Sequence, residues 1–226
     1  MIKSDNISDY KKHTTDPDHK SDNRNATANS DTRLENRKLR LAILGAGGIA
    51  CKMAETVNQM QEVELYAVAS RTEEKARQFS DTYHASKWYG SYEEMVADDG
   101  IDLVYVATPH SHHKEHTMLC LNHNRAVLCE KAFAVNTKEA EDMIRLAKEK
   151  NILLAEAMWV RYMPMSFTLK EIIDSDVIGK ITGLTANLGY SLMQVERLIR
   201  PELAGGALLD LAPYTLNFAT WVLGDN

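Results

Sequence analysis

Three features that would indicate other classes of protein are missing from this sequence of 226 residues. No apolar run approaches the length of a membrane-spanning helix, so we expect a soluble protein that has no membrane partner. The formal net charge is -6 and the basic residues form no stripe, which argues against nucleic acid as a partner. Cys51, Cys120 and Cys129 show no C-x-x-C spacing, so we expect reduced thiols and a cytoplasmic location.

Residues 1–38 lack the regular apolar spacing of a helix or a strand and are rich in Lys, Asp, Asn, Ser and Thr. This composition predicts a disordered polar tail. The tail has no apolar centre of the kind found in secretory signals, and its many aspartates argue against an organellar transit peptide. We therefore expect the folded part to begin at Leu39.

A glycine-rich turn follows the first strand pattern, between an apolar run at 41–44 and a helical pattern. It has the form G-x-G-x-x-A over residues 45–50. Gly45 permits the sharp turn, Gly47 lets the backbone approach a pyrophosphate, and the small Ala50 lets helix and strand pack closely. A purely structural turn is the alternative, but the strand before it and the helix after it favour a dinucleotide site.

Strands and helices alternate from residue 39 to residue 155. Further apolar runs with strand character lie at 63–69, 101–107, 126–129 and 152–156, with helical patterns between them. Strands that are apolar on both faces and joined by helices predict a parallel sheet that is covered on both sides. The sequence therefore predicts an α/β fold, a doubly wound Rossmann domain over residues 39–155.

The pattern changes after Glu156. A helix, a strand-like run at 181–190 and a helical segment at 208–223 follow, with one clear strand among them. A single strand cannot satisfy its own backbone hydrogen bonds. We therefore expect residues 156–226 to be the beginning of an α+β open-sheet domain for substrate binding and dimerisation.

Ligands of parallel α/β sheets bind beyond the carboxyl ends of the strands. Ser70 and Arg71 follow the second strand, where an acidic residue would bind the ribose hydroxyls of NAD. A hydroxyl and a guanidinium suit a 2′-phosphate instead, so the pair favours NADP, with NAD still possible. The alternative is a solvated Arg71 that neutralises Glu73 and Glu74.

Four histidines follow the third long strand, at His110, His112, His113 and His116. His112 and His116 could share a helical face, but no nearby carboxylate or cysteine completes a metal site, so we predict no metal. Three interpretations stay open for these side chains: polar lining near a nicotinamide, plain surface positions, and acid/base catalysis by one of them.

Glu130 and Lys131 end the next strand, beside the expected nicotinamide. A Lys at this point can hold a substrate hydroxyl, or lower the pKa of a neighbouring acid such as Tyr through its positive charge. A surface ion pair at a strand end is the alternative. The position at the ligand edge of the sheet favours a function.

Several motifs together resemble the glucose-fructose oxidoreductase and inositol dehydrogenase (Gfo/Idh/MocA) family. They are the glycine-rich turn, Ala69-Ser70-Arg71, Ala107-Thr108-Pro109-His110 and Val127-Leu128-Cys129-Glu130-Lys131. The runs at 156–164 and 205–211 resemble its dihydrodiol dehydrogenase and NADP-dependent D-xylose dehydrogenase branch. The similarity extends from Leu39 to the C-terminus, and most strands of the substrate domain are absent, so the chain resembles a C-terminally truncated member.

The resemblance implies that Lys131 is catalytic and that Asp210 and Tyr214 match the acid/base motif of the family, in which this branch has Tyr in place of His. Tyr214 would exchange the proton of a substrate hydroxyl while hydride moves to or from the nicotinamide. Ala132 stands where the family usually has Pro, which favours an ordinary trans peptide bond after Lys131.

The expected cofactor contacts come from the glycine-rich turn and from residues just after the strands. They are Gly45, Gly47, Gly48, Ile49, Ser70, Arg71, Thr108, Pro109, His110, His113, Glu130, Lys131, Trp159 and Arg161. The predicted protein is an NADP-dependent oxidoreductase whose substrate is a small secondary alcohol, diol, polyol or sugar hemiacetal. A non-catalytic NADP(H)-binding remnant and a redox sensor are the alternatives. The resemblance also implies homodimers for full-length relatives, formed through sheet strands that this chain lacks.

Overall fold

The computed structural model describes residues 37–224. Its six strands are β1 (Leu39–Leu44), β2 (Val63–Ala69), β3 (Lys87–Tyr89), β4 (Leu103–Val106), β5 (Ala126–Cys129) and β6 (Leu154–Glu156). They form one sheet in the order β3-β2-β1-β4-β5-β6, and every neighbouring pair is parallel. This is the doubly wound Rossmann order, so the predicted fold class of the first domain is confirmed. The predicted tail lies, apart from residues 37 and 38, outside the described residues.

Helices connect the strands and continue after the sheet. They are α1 (Gly48–Val57), α2 (Glu73–Tyr83), α3 (Tyr92–Val96), α4 (His113–Asn122), α5 (Thr137–Lys150), α6 (Pro164–Asp174), α7 (Glu196–Ile199), α8 (Ala207–Asp210) and α9 (Ala212–Leu223). Short 3₁₀ helices lie at His110–His112, Trp159–Tyr162 and Pro201–Leu203. Within the part that the structure describes, no helix combines the length and the apolar character needed to cross a membrane.

The central strand β1 is buried on both faces. Ala42 and Leu44 belong to one hydrophobic cluster, and Leu41 and Ile43 belong to the other. Each such aliphatic side chain stabilises the fold by roughly 1.5–3 kcal/mol when it is fully buried. The continuous apolar run in the sequence therefore has a direct cause, because helices cover both sides of this strand.

Two strand assignments from the sequence need correction. The edge strand β3 was missed, because three residues give too short a pattern to recognise. The strand expected at 181–190 is wrong: no strand follows Glu156 among residues 37–224, and Tyr190 is 65% exposed. Without a neighbouring strand, this run has no ladder of backbone hydrogen bonds to stabilise an extended pairing.

Candidate active site

The glycine-rich turn has the backbone geometry that its sequence predicts. Gly45 has a φ of +104°, and a Cβ atom there would lie 3.0 Å from Thr108 Cγ2 and 3.1 Å from Ala107 O. Gly47 is the N-cap residue of α1, and no side chain caps the first N–H groups of this helix. The N-terminus of this ten-residue helix therefore presents unpaired donors and the positive end of its dipole at the edge of a cavity.

Two cavities lie along this edge of the sheet and share part of their walls. The smaller one, of about 380 Å³, is lined by the turn at Gly45 and by Ser70, Arg71 and Lys75, and we call it the Arg71 cavity. The larger one, of about 580 Å³, contains Lys131 and is called the Lys131 cavity. Together they follow the carboxyl ends of β2, β1, β4 and β5, where a dinucleotide binds in this topology.

The Lys131 cavity brings together residues that are far apart in the sequence. Its wall includes Gly47, Gly48, Ile49, Thr108, Pro109, His110, Glu130, Lys131, Arg197, Asp210 and Tyr214. The α1 N-terminus thus shares one cavity with all three residues that the resemblance marks as catalytic.

Asp210 is the centre of a buried ion-pair cluster in this cavity. Lys131 Nζ donates to Asp210 Oδ1 at 3.0 Å and to its backbone O at 2.9 Å. Arg197 donates to the same Oδ1 through both terminal nitrogens at 3.1 Å. Burial of Asp210 opposes its ionisation, but the hydrogen bonds and charges of Lys131 and Arg197 outweigh it and hold the pKa below its ordinary value. Asp210 is therefore ionised, and its carboxylate is suited to orient Lys131 rather than to donate a proton.

Tyr214 lies in the first turn of α9, next to this cluster. Lys131 Nζ is 5.0 Å from the centre of the Tyr214 ring. Trp159 Nε1 donates to Tyr214 Oη at 3.4 Å, and the two rings meet edge to face. Since the phenol oxygen accepts this bond, its own proton stays available for a ligand in the cavity.

Glu130 occupies the wall beside Lys131 and does not pair with it. The Tyr105 hydroxyl donates to Glu130 Oε1, and the Lys131 backbone N donates to Oε2 at 3.1 Å. Burial raises the pKa of both the Glu130 carboxyl and the Tyr105 phenol. Lys131 itself pairs with Asp210, so the alternative of a surface ion pair at the strand end is wrong.

Sequence comparison agrees with this arrangement. A family described as an oxidoreductase family with an NAD-binding Rossmann fold matches residues 39–158, and the GFO/IDH/MocA C-terminal domain matches residues 167–226. The chain belongs to the Gfo/Idh/MocA family. It spans about half the length of the curated relatives that it matches.

Individual relatives fit this Gfo/Idh/MocA assignment. D-xylose 1-dehydrogenase (NADP(+)) from Hypocrea jecorina is 41% identical, over 81% of this chain and 52% of the relative. Trans-1,2-dihydrobenzene-1,2-diol dehydrogenase from Mus musculus is 35% identical, over 82% and 56%. The solved 3-ketoreductase KijD10 from Actinomadura kijaniata, in complex with NADP and TDP-benzene, is 26% identical with a TM-score of 0.76, over 83% of this chain and 58% of that one.

Three residues expected to contact the cofactor of this Gfo/Idh/MocA chain do not line either cavity. His113 is fully buried, with Nδ1 2.7 Å from Ala132 O and Nε2 2.8 Å from Thr108 O. Trp159 contacts Tyr214 instead of lining either cavity, and Arg161 Nε donates to Asn217 Oδ1 at 3.0 Å. Each of these side chains thus has a polar contact with a residue at least 19 positions away in the sequence.

The peptide bond between Lys131 and Ala132 is cis, so the expectation of a trans bond is wrong. Ala132 is buried and its carbonyl oxygen lies against the His113 ring. Tertiary contacts at this position therefore override the local preference of a non-proline residue.

The other three histidines of the run at 110–116 line the cavities. His110 is in the wall of the Lys131 cavity, with Nδ1 3.1 Å from Ala204 O. His112 and His116 line the Arg71 cavity with their rings stacked, and His116 Nδ1 lies 2.9 Å from Thr108 Oγ1. Across residues 37–224, no group of three His, Cys, Asp or Glu side chains is arranged to hold a metal ion.

The charged residues of the site that were not predicted include Lys75 and Arg197. Lys75 lies in the first turn of α2, four positions after Arg71, and this spacing could have been recognised in the sequence. Arg197 in α7 pairs with Asp210 in α8, 13 positions later, and no local pattern marks it.

The burial of His116 predicts that the stability of the protein depends on pH. Burial lowers the pKa of His116 from 6.5 to about 4, so the unfolded chain binds a proton that the folded chain excludes. The free energy of unfolding should therefore decrease as the pH falls from 6.5 towards 4, by up to about 3 kcal/mol from this residue. Urea unfolding of the wild type and His116→Gln at several pH values measures this contribution.

The pH dependence should be weaker in His116→Gln and unchanged in His123→Gln, which replaces an exposed histidine at the end of α4. Equal pH dependence in wild type and His116→Gln would contradict the prediction.

Proposed function

We propose that this chain binds NADP(H) and catalyses reversible hydride transfer between the nicotinamide and a secondary alcohol, trans-diol or sugar hemiacetal. One observation carries the proposal: the N-terminus of α1 and the cluster of Lys131, Asp210 and Tyr214 share a single cavity. The relatives described above include an NADP-dependent xylose dehydrogenase and a dihydrodiol dehydrogenase.

The cavities fit a dinucleotide. The turn at Gly45 leaves no room for a side chain, and the helix N-terminus beside it offers backbone donors to a pyrophosphate. Ser70, Arg71 and Lys75 form one wall of the Arg71 cavity, and their hydroxyl and cationic groups suit a 2′-phosphate. Glu74 pairs with Arg77 at 3.4 Å, so Arg71 is not needed to neutralise it.

The residues of the Lys131 cavity would handle the proton of the reaction. The bound cofactor supplies a hydride donor or acceptor at its nicotinamide ring. Tyr214 exchanges a proton with the substrate hydroxyl through its phenol oxygen, which Trp159 orients. Lys131 places a positive charge beside the Tyr214 ring and the substrate oxygen, and Asp210 fixes the position of that charge.

We also propose the domain division expected from the sequence, a nucleotide domain over 39–155 followed by a substrate-domain segment over 156–226. The ranges of the two family matches support it.

The thiols of Cys120 and Cys129 are free and buried, and burial raises the pKa of each to about 12. Such inert reduced thiols support the proposed cytoplasmic location.

Removing the charge of Arg71 should lower the affinity for NADPH and leave the affinity for NADH nearly unchanged. Arg71→Gln is expected to weaken NADPH binding by about 10- to 100-fold, because a hydrogen bond to a charged group contributes roughly 1.5–3 kcal/mol. NADH affinity should change little, since NADH has no 2′-phosphate. Fluorescence titration of both nucleotides measures the two effects.

The matched control is Arg77→Gln, which removes an exposed charge from α2, the helix that follows Arg71, outside the cavity. Equal losses for NADPH and NADH in Arg71→Gln would count against the phosphate site.

The proposed activity is tested by absorbance at 340 nm, with NADP and a panel of aldoses and trans-diols as substrates. Turnover of at least one substrate supports the proposal. Binding of NADPH without turnover of any of them would favour the non-catalytic remnant instead.

A further inference from the structure

A third cation faces the Arg71 cavity from outside the Rossmann sheet. Arg200 follows α7 and, together with Glu196, lines the same cavity as Arg71 and Lys75. Arg200 lies 129 residues after Arg71 in the sequence, and no motif marks it. The cavity is therefore lined by cations both from the Rossmann domain and from the chain after the sheet.

The backbone at Arg200 is well anchored. Its carbonyl oxygen accepts hydrogen bonds from Leu203 N at 3.1 Å and from Gly205 N at 3.2 Å. Ala204 lies in the same turn, between Leu203 and Gly205, and its carbonyl oxygen is 3.1 Å from His110 Nδ1. A Cβ atom on Gly205 would lie 2.6 Å from Leu198 O, so the turn packs tightly beneath α7. These contacts tie the segment to the end of β4 and fix where the Arg200 side chain begins.

The Arg200 side chain, in contrast, is half exposed and is held by acidic partners of its own segment. Its Nη2 atom lies 2.5 Å from Glu196 Oε1, and its Nη1 atom lies 3.3 Å from Glu202 Oε1. Exposed ion pairs of this kind contribute little to stability. A phosphate group offers a stronger, bidentate partner for a guanidinium, so an exchange of partners is favourable.

We propose that Arg200 binds a phosphate group of the dinucleotide in this cavity, and that Glu196 competes with that phosphate for the guanidinium. The inference rests on the NADP(H) binding proposed above. The segment after the sheet thereby contributes directly to cofactor affinity, through a residue outside the motifs described in the sequence analysis. The phosphate is either the 2′-phosphate or the pyrophosphate, and the choice of nucleotide separates these two.

The test compares substitutions of opposite expected sign on one short segment. NADPH and NADH are titrated by fluorescence against the wild type, Arg200→Gln, Glu196→Gln and the control Arg145→Gln. Arg145 lies on α5 outside both cavities and pairs with Asp142 at 2.9 Å. Arg200→Gln should weaken NADPH binding about tenfold, Glu196→Gln should tighten it about threefold, and Arg145→Gln should leave it unchanged.

The two nucleotides locate the contact. A loss limited to NADPH in Arg200→Gln assigns the 2′-phosphate, and equal losses for NADPH and NADH assign the pyrophosphate. Unchanged affinity for both nucleotides in Arg200→Gln overturns the inference. So does weaker binding in both Arg200→Gln and Glu196→Gln, since disruption of the segment would produce losses of the same sign.

Arg200→Lys covers the case in which Arg200→Gln fails to fold, as judged by circular dichroism. It keeps the charge and removes the bidentate geometry, so an intermediate loss of affinity is expected; wild-type affinity in this variant overturns the inference. If the wild type binds neither nucleotide, the proposed function itself fails and this inference falls with it. Wild-type binding with an unaffected Arg200→Gln contradicts the Arg200 contact alone.

Discussion

Tyr214→Phe should lose turnover by a factor of about 10² to 10⁴ while its affinity for NADPH stays within about twofold, because a positioned acid or base contributes rate enhancement of this size. The substitution removes only the phenol oxygen, which accepts a hydrogen bond from Trp159 and faces the Lys131 cavity. The ring remains beside Lys131, so packing and cofactor binding are preserved. Steady-state rates at 340 nm and NADPH titration measure the two quantities.

A matched control for this experiment is Tyr162→Phe. Tyr162 is 73% exposed and lies outside both cavities, so its hydroxyl should not affect the rate. A rate for Tyr214→Phe equal to that of the wild type would remove Tyr214 from the mechanism. A parallel loss of rate and of NADPH affinity would instead indicate a binding role.

Lys131→Met should also lose at least about 10² in turnover, because it removes the charge that stabilises the reacting oxygen. It has a second consequence, since Asp210 is 4% exposed and would retain Arg197 as its charged partner. Leaving a buried carboxylate partly unpaired costs about 1–3 kcal/mol of stability. Turnover and urea unfolding of the same preparation measure both losses.

Two further variants separate the charge from the geometry. Lys131→Arg keeps the positive charge but alters the reach of the side chain, and it should retain more stability than activity. The double variant Lys131→Met with Asp210→Asn should recover part of the lost stability and no turnover. Recovery of turnover in the double variant would show that Lys131 serves only to neutralise Asp210.

The sequence predicted the features whose causes are local. Gly45 turns the chain at a φ of +104° where a Cβ would crowd Thr108, and the apolar strands at 63–69 and 126–129 have the predicted bounds. The resemblance also identified Lys131 and Tyr214 as partners, although 83 residues separate them. The turn and strand predictions succeed because backbone geometry and burial leave regular patterns in neighbouring residues.

Only the tertiary structure decided which polar groups the remaining side chains contact. His113, Trp159 and Arg161 stand after the expected strand ends, but they contact Ala132, Tyr214 and Asn217 and line neither cavity. Arg197 and Arg200 line the two cavities from the region of α7, a helix of four residues that is too short to leave a periodic pattern. The sequence by itself therefore determined the Rossmann domain and the nature of its ligand edge. Which side chains reach that edge depends on contacts between residues far apart in the chain, and local sequence does not encode these contacts.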